Sequence, residues 1–220
     1  MNSILERVNT VCENVRSLNP TAISFKKLVG STRKEFKNCG LDIALITKKE
    51  KSLATDEFYV DAYYDPEDDF NQETPIEVIV HHNFDDTNKF QKNQITDFLI
   101  QIYDAVVHEL RHQKQSRNRI FETYSDHASD PYSKYLADPD ELDAYAFSIA
   151  VELLRVMTAQ RAKRYMSKMT VLSKMRIGPM LVSPNLGAYV GQFKNNPLLK
   201  KLAKKVYIHL ETLDKSKVFV

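Results

Sequence analysis

Glycine and proline are scarce, at 5 and 8 in 220 residues, which excludes long flexible linkers. Cysteine is scarcer still. Cys12 and Cys39 cannot make a disulfide framework; they can pair, but the expected state is two reduced thiols in a cytoplasmic protein. No apolar run approaches the length that spans a bilayer, so no membrane association is expected. The N-terminus, MNSILERVNTVCENVRSLNP, places Glu6, Arg7 and Glu13 where a secretory signal needs an unbroken apolar stretch. Internal repeats and low-complexity tracts are also lacking.

What is there is enough for one globular domain with a real core, or one domain plus an appendage. Hydrophobic residues make up 43% and charged residues 27%, the balance of a soluble globular chain. The net charge of +2 conceals a polarity. Residues 1–154 carry 17 Lys/Arg against 27 Asp/Glu, a net −10, and residues 155–220 carry 14 against 2, a net +12. Such asymmetry points to two functionally distinct parts, expected at 1–156 and at 157–220, the latter a basic helical extension.

Apolar residues at Ile4, Leu5, Val8, Val11, Cys12 and Val15 predict a helix over 3–17, with Ser3 as its N-cap. A second helix is expected from about Thr21 to Phe36, stopped by Asn38-Cys39-Gly40. Three strands follow, at Leu41–Thr47, Glu57–Tyr64 and Ile76–His82. The acidic segment 65–71 reads as a turn. Helical spacing returns over about Lys92–Arg117, through Ile95, Phe98, Leu99, Ile102, Val106 and Leu110. Residues 119–137 read as irregular. A strong helix starts at Asp138-Pro139, with Asp138 as N-cap and Pro139 at the first helical position; it is expected to reach at least Val156, with Lys168 as its outer limit. Further helices break at Gly178-Pro179 and Ser183-Pro184, and a last one covers Pro197–Leu213.

The chemistry resides in His108-Glu109-Leu110-Arg111-His112. Histidines at i and i+4 stand one above the other on a helix face, so both imidazoles reach one ion. Zinc takes imidazole nitrogen readily, and its catalytic sites use three protein ligands and keep a position for water. In sites of this pattern the residue at Glu109 takes a proton from the water at the metal and passes it to the leaving amine. The bland alternative is two solvated histidines with Glu109 paired to Arg111, which is otherwise a surface residue. An HExxHxxGxxH extension needs Gly at 115 and His at 118; Gln115 and Asn118 exclude it. The third ligand is therefore sought in Glu141-Leu142-Asp143, with His127 as another candidate.

The segment Glu141-Leu142-Asp143-Ala144-Tyr145-Ala146-Phe147 resembles the second metal helix of gluzincin metallopeptidases and of the ImmA/IrrE-type and small phage-encoded peptidases. The resemblance covers about residues 76–156 and is strongest at the HExxH motif. It implies an α+β, zincin-like fold: a small three-stranded sheet, the motif helix, a second metal-ligand helix, and additional helices at both ends. It implies Zn2+ held by His108, His112 and Glu141, with Ala144 allowing close helix approach. Asp143 competes with Glu141 as ligand, or accepts from a ligating imidazole N–H. Residues two apart on a helix point in different directions, so both do not bind one ion.

Tyr124, His127, Tyr135 and Tyr145 are candidate donors to a developing oxyanion. Ile76–Val80, ending at His81-His82, is expected to border the cleft and pair with an extended substrate as an edge strand. The function implied is zinc-dependent hydrolysis of a peptide bond in a protein or peptide substrate, in the cytoplasm (host cytoplasm or virion if phage-encoded). Two alternatives stand beside it. One is a catalytically silent zincin-like protein, a phage structural or regulatory component. The other is a DNA-associated regulator whose basic helices in 155–220 meet nucleic acid or another acidic partner; a solvated face docking on the acidic first part explains the same charges.

Overall fold

The computed structural model describes residues 2–18, 21–55, 57–85, 87–119, 131–168, 178–194 and 196–220. The chain is α+β, with ten helices and a small three-stranded sheet among the described residues. It divides into two compact units. The first spans Ser3–Glu122 and takes in Phe219–Val220; the second spans Thr123–Val218.

In the first unit, α1 (Asn2–Leu18) buries the stripe Leu5, Val8, Val11, Cys12 and Val15 completely, as helical spacing demands. The second helix starts later than its sequence suggests. Ala22–Ser24 forms a short strand, β1, paired antiparallel with β5 (Lys89–Gln91). Its backbone groups are committed to that partner, and α2 (Phe25–Asn38) begins only after it. At its far end, Leu41 N–H donates to Phe36 O at 2.9 Å and Gly40 N–H to Lys37 O at 3.1 Å. That bond pair is a Schellman stop, and it needs the left-handed backbone that Gly40 supplies at φ 64°. Leu41 N–H is used in this stop, and β2 starts at Ile43 and runs to Lys49.

β3 (Phe58–Tyr64) and β4 (Ile76–His82) complete the sheet in the order β2-β4-β3. β4 is parallel to β2, with Ile43 opposite Ile76, and antiparallel to β3, with Phe58 opposite His82. This overturns the expectation that Ile76–Val80 is an edge strand open to a substrate. β4 is central, and its N–H and C=O groups are spent on both neighbours.

The acidic segment after β3 is a helix, not a turn. Asp65 caps α3 (Pro66–Phe70), accepting from Glu67 and Asp68 N–H, and the first-turn acids favour the positive helix end. The long α4 (Lys92–Asn118) packs on β3 and β4 through buried Ile95, Phe98, Leu99, Ile102, Val106 and Leu110.

The second unit is helical among its described residues: α5 (Tyr132–Ala137), α6 (Pro139–Val156), α7 (Ala159–Met166), α8 (Gly178–Val182), α9 (Pro184–Gln192), α10 (Pro197–Thr212), and a 3-10 turn at Lys215–Lys217. α5 lies within the stretch expected to be irregular; residues 120–130 fall outside the described ones. α6 is its centre, packed by α5, α7, α8, α9 and α10, and is apolar over most of its circumference, as a buried helix must be. It ends at Val156. Met157 is extended, and Thr158 caps α7 by accepting from Arg161 N–H, so the helix does not continue to Lys168. Asp138, Ser183 and Asn196 cap α6, α9 and α10, each followed by proline at the first helical position. No helix among the described residues is long and apolar enough to cross a membrane.

Candidate metal centre

α4 carries the motif in its C-terminal half and continues six residues beyond His112, so the backbone at the motif is regular helix. His108 and His112 share a face. Their Nε2 atoms lie 3.2 Å apart, with ring centroids 4.9 Å apart and planes at 71°. Two imidazoles bound tetrahedrally at a Zn–N length of 2.0–2.1 Å have nitrogens about 3.3 Å apart, so the pair is spaced for chelation. His112 and Glu109 are buried and His108 is half-buried.

Glu141 sits in the first turn of α6. Its backbone position is fixed by the cap: Asp138 Oδ1 accepts from Asp140 N–H at 2.7 Å and from Glu141 N–H at 3.4 Å. The Glu141 side chain is buried and hydrogen-bonded to the Tyr135 hydroxyl, which also bonds Tyr145. Burial, reinforced by the neighbouring Tyr145 and the Glu141 charge, pushes the Tyr135 phenol far above its ordinary range. Tyr135 therefore stays protonated and donates to the carboxylate. Aromatic contacts hold the hydroxyl in place. Tyr135 meets Tyr145 edge-on at 6.4 Å, Tyr145 meets Tyr189 at 5.4 Å, and Tyr189 O–H donates to Leu136 O at 2.8 Å.

One ligand atom from each of His108, His112 and Glu141 lies within 4.8 Å of the other two. Among the described residues this is the one group of His, Cys, Asp or Glu side chains so arranged. Two imidazole nitrogens and a carboxylate oxygen are a donor set that suits zinc, and the histidine spacing fits it.

Asp143 has other company. Its Oδ1 accepts from Lys205 Nζ at 3.1 Å and faces His209 Nε2 at 3.2 Å, both on α10. Tyr135, read from the sequence as an oxyanion donor, is engaged with Glu141. Tyr124 and His127 lie outside the described residues, and Arg111 is half-buried on α4. His82 is a core residue, its ring 4.5 Å from Phe25 and its Nδ1 3.1 Å from Phe84 O. His81 is held by Glu50 and Asp61 and stacks on Tyr59 at 4.4 Å.

Sequence reasoning missed the Tyr135–Glu141 bond and the Asp143–Lys205–His209 group. The first had a faint signal in a tyrosine six residues ahead of the carboxylate. The second had none, its members being 62 and 66 residues apart.

No family model matches the chain, and no curated protein or solved structure matches it.

Proposed function

We propose that the chain is a zinc-dependent peptidase of the gluzincin type, with His108, His112 and Glu141 holding the ion. The observation that carries this reading is the clustering of those three ligand atoms, together with Glu109 next to His108 in sequence and buried on the same helix. A three-stranded sheet with the motif helix packed on it, and a glutamate in the first turn of a later helix, support a zincin-like arrangement. Zinc, when bound, supplies Lewis acidity and makes a water molecule acidic near neutral pH. Glu109 takes a proton from the attacking water on its carboxylate and delivers it to the amine nitrogen as the peptide bond breaks. Tyr135 fixes the carboxylate of Glu141. The substrate is a protein or peptide, and the site of action is the cytoplasm, in keeping with Cys12 and Cys39 forming no disulfide.

Elemental analysis of native protein, paired with mass-spectrometric assay of a peptide library, tests this. The wild type is expected to hold about one zinc per chain and cleave. Glu109→Gln is expected to hold zinc and lose cleavage by at least a thousandfold, and His112→Ala to lose both. Zinc without cleavage in the wild type would favour the silent zincin-like binding protein; no zinc after supplementation would sink the metal reading.

A further inference from the structure

None of the proposed metal ligands lies in the basic C-terminal third, and its packing narrows what it does. Within the second unit, α7 and α10 lie against each other. Tyr207 O–H donates to Lys163 O at 2.6 Å, Lys163 Nζ pairs with Glu211 at 3.0 Å, and Lys215 Nζ reaches Met157 O at 3.1 Å. Their buried faces are apolar: Ala162 and Met166 on α7, and Leu199, Leu202, Val206 and Leu210 on α10.

The opposite faces carry Arg161, Arg164 and Lys168 on and just after α7, and Lys200, Lys201 and Lys204 on α10, all exposed. The side chains of these six form no ion pair or hydrogen bond among the described residues. The acids nearby are already engaged. Glu211 pairs with Lys163, Asp143 with Lys205 and His209, and Asp214 accepts from Ser216 N–H. Within the second unit these six cations therefore have no carboxylate partner among the described residues.

We infer that the exposed face of α7 and α10 binds the phosphate backbone of double-stranded nucleic acid. The charge density fits. Arg161, Arg164 and Lys168 are three cations over about 10 Å of helix rise, and about 10 Å of duplex axis carries about three phosphates on each strand. The composition fits as well. A protein partner or a membrane surface calls for apolar anchors, and Ile208 is the one large apolar residue exposed on these two helices. Contacts to the phosphate backbone carry no sequence information, so the binding inferred is sequence-independent. This inference does not depend on the peptidase reading.

The test is fluorescence anisotropy of a labelled 30-base-pair duplex of mixed sequence with the full chain, in EDTA so that the metal site plays no part. Affinity is expected to fall about a thousandfold between 50 and 200 mM salt, a log–log slope of about −5. Each single Lys→Gln or Arg→Gln change at the six positions is expected to lower that slope by about 1. The combination Lys200→Glu, Lys201→Glu and Lys204→Glu is expected to weaken binding at least thirtyfold at 100 mM salt, and Lys51→Glu in the first unit to leave it unchanged. A wild-type slope shallower than −2 would overturn the inference. So would equal loss with Lys51→Glu, or competition by polyglutamate as effective as by unlabelled duplex, which would point to an acidic protein.

Discussion

The Nε2 atoms of His108 and His112 face each other at 3.2 Å across one turn of α4. Without an ion, two imidazoles so placed share at most one weak N–H···N bond; with zinc, both become ligands at their present spacing. Ligand binding to the native state alone stabilises by about 4 kcal/mol when free zinc is a thousand times Kd. For a chain of this length that corresponds to a rise in Tm of about 8–16 °C. Scanning calorimetry with and without zinc should show this rise in the wild type. It should be lost in His108→Ala, His112→Ala and Glu141→Ala, and kept in Asp143→Asn. Loss of the rise in Asp143→Asn alone would move the third ligand two residues along α6.

Features set by neighbours in sequence could be read before the fold was known. The i, i+4 spacing put His108 and His112 on one face. The pairs Asp138-Pro139 and Ser183-Pro184 marked helix starts because cap and proline act within one turn. Features set by distant partners could not. Ala22–Ser24 is extended because β5, 65 or more residues on, pairs with it. The inner position of β4 depends on a strand order that local alternation does not encode. The burial alternation of β3 marks it as half-buried whichever strand lies beside it. Tyr135 reaches Glu141 because α5 and α6 meet at Asp138 at a particular angle, and no periodicity specifies that angle.

Gly187 on α9 marks a close crossing with α8. A Cβ built there would lie 2.7 Å from Met180 Cα and 2.8 Å from its Cβ, a clash with backbone that no rotamer change relieves. Gly187→Ala should cost about 2 kcal/mol by overpacking, a fall in Tm of about 4–8 °C. Gly191→Ala, where the added Cβ meets nothing within 4 Å, should leave Tm unchanged or raise it through better helix propensity. Equal melting of the two variants would show that α8 yields to the added methyl.

Asp69 at the end of α3 anchors the far end of the motif helix. Its carboxylate accepts from Arg117 Nε at 2.8 Å and Nη2 at 2.6 Å, from Tyr64 O–H at 2.9 Å, and from Gln113 at 3.3 Å. Burial alone would raise the Asp69 carboxyl, but the Arg117 guanidinium and the Tyr64 hydroxyl outweigh it and hold it below the ordinary range. A carboxyl depressed in the folded state adds stability above its unfolded value of about 3.9, and that stability is lost as pH falls through the folded value. Arg117 keeps 55% of its side chain exposed, so the pair is worth less than a fully buried one. Asp69→Asn should cost about 2 kcal/mol at pH 7, and the gap to wild type should close below pH ~4. Urea unfolding at pH 7 and pH 3 measures it; a gap independent of pH would assign the loss to packing.

Tyr135 offers the finest test of the metal reading. Its hydroxyl stays protonated and donates to the Glu141 carboxylate, which fixes the orientation in which that carboxylate meets an ion. Partners of this kind commonly alter metal affinity by about 10- to 100-fold. Tyr135→Phe keeps the ring and its edge contact with Tyr145 and removes only the donor, so the metal-free protein should melt within about 1 °C of wild type. Zinc affinity by chelator competition should fall tenfold or more, with stoichiometry still one. In a Glu141→Gln background the same change should do almost nothing, because the bond it removes orients a carboxylate that is no longer there. If Tyr135→Phe weakens zinc equally in both backgrounds, the tyrosine acts on the site by another route.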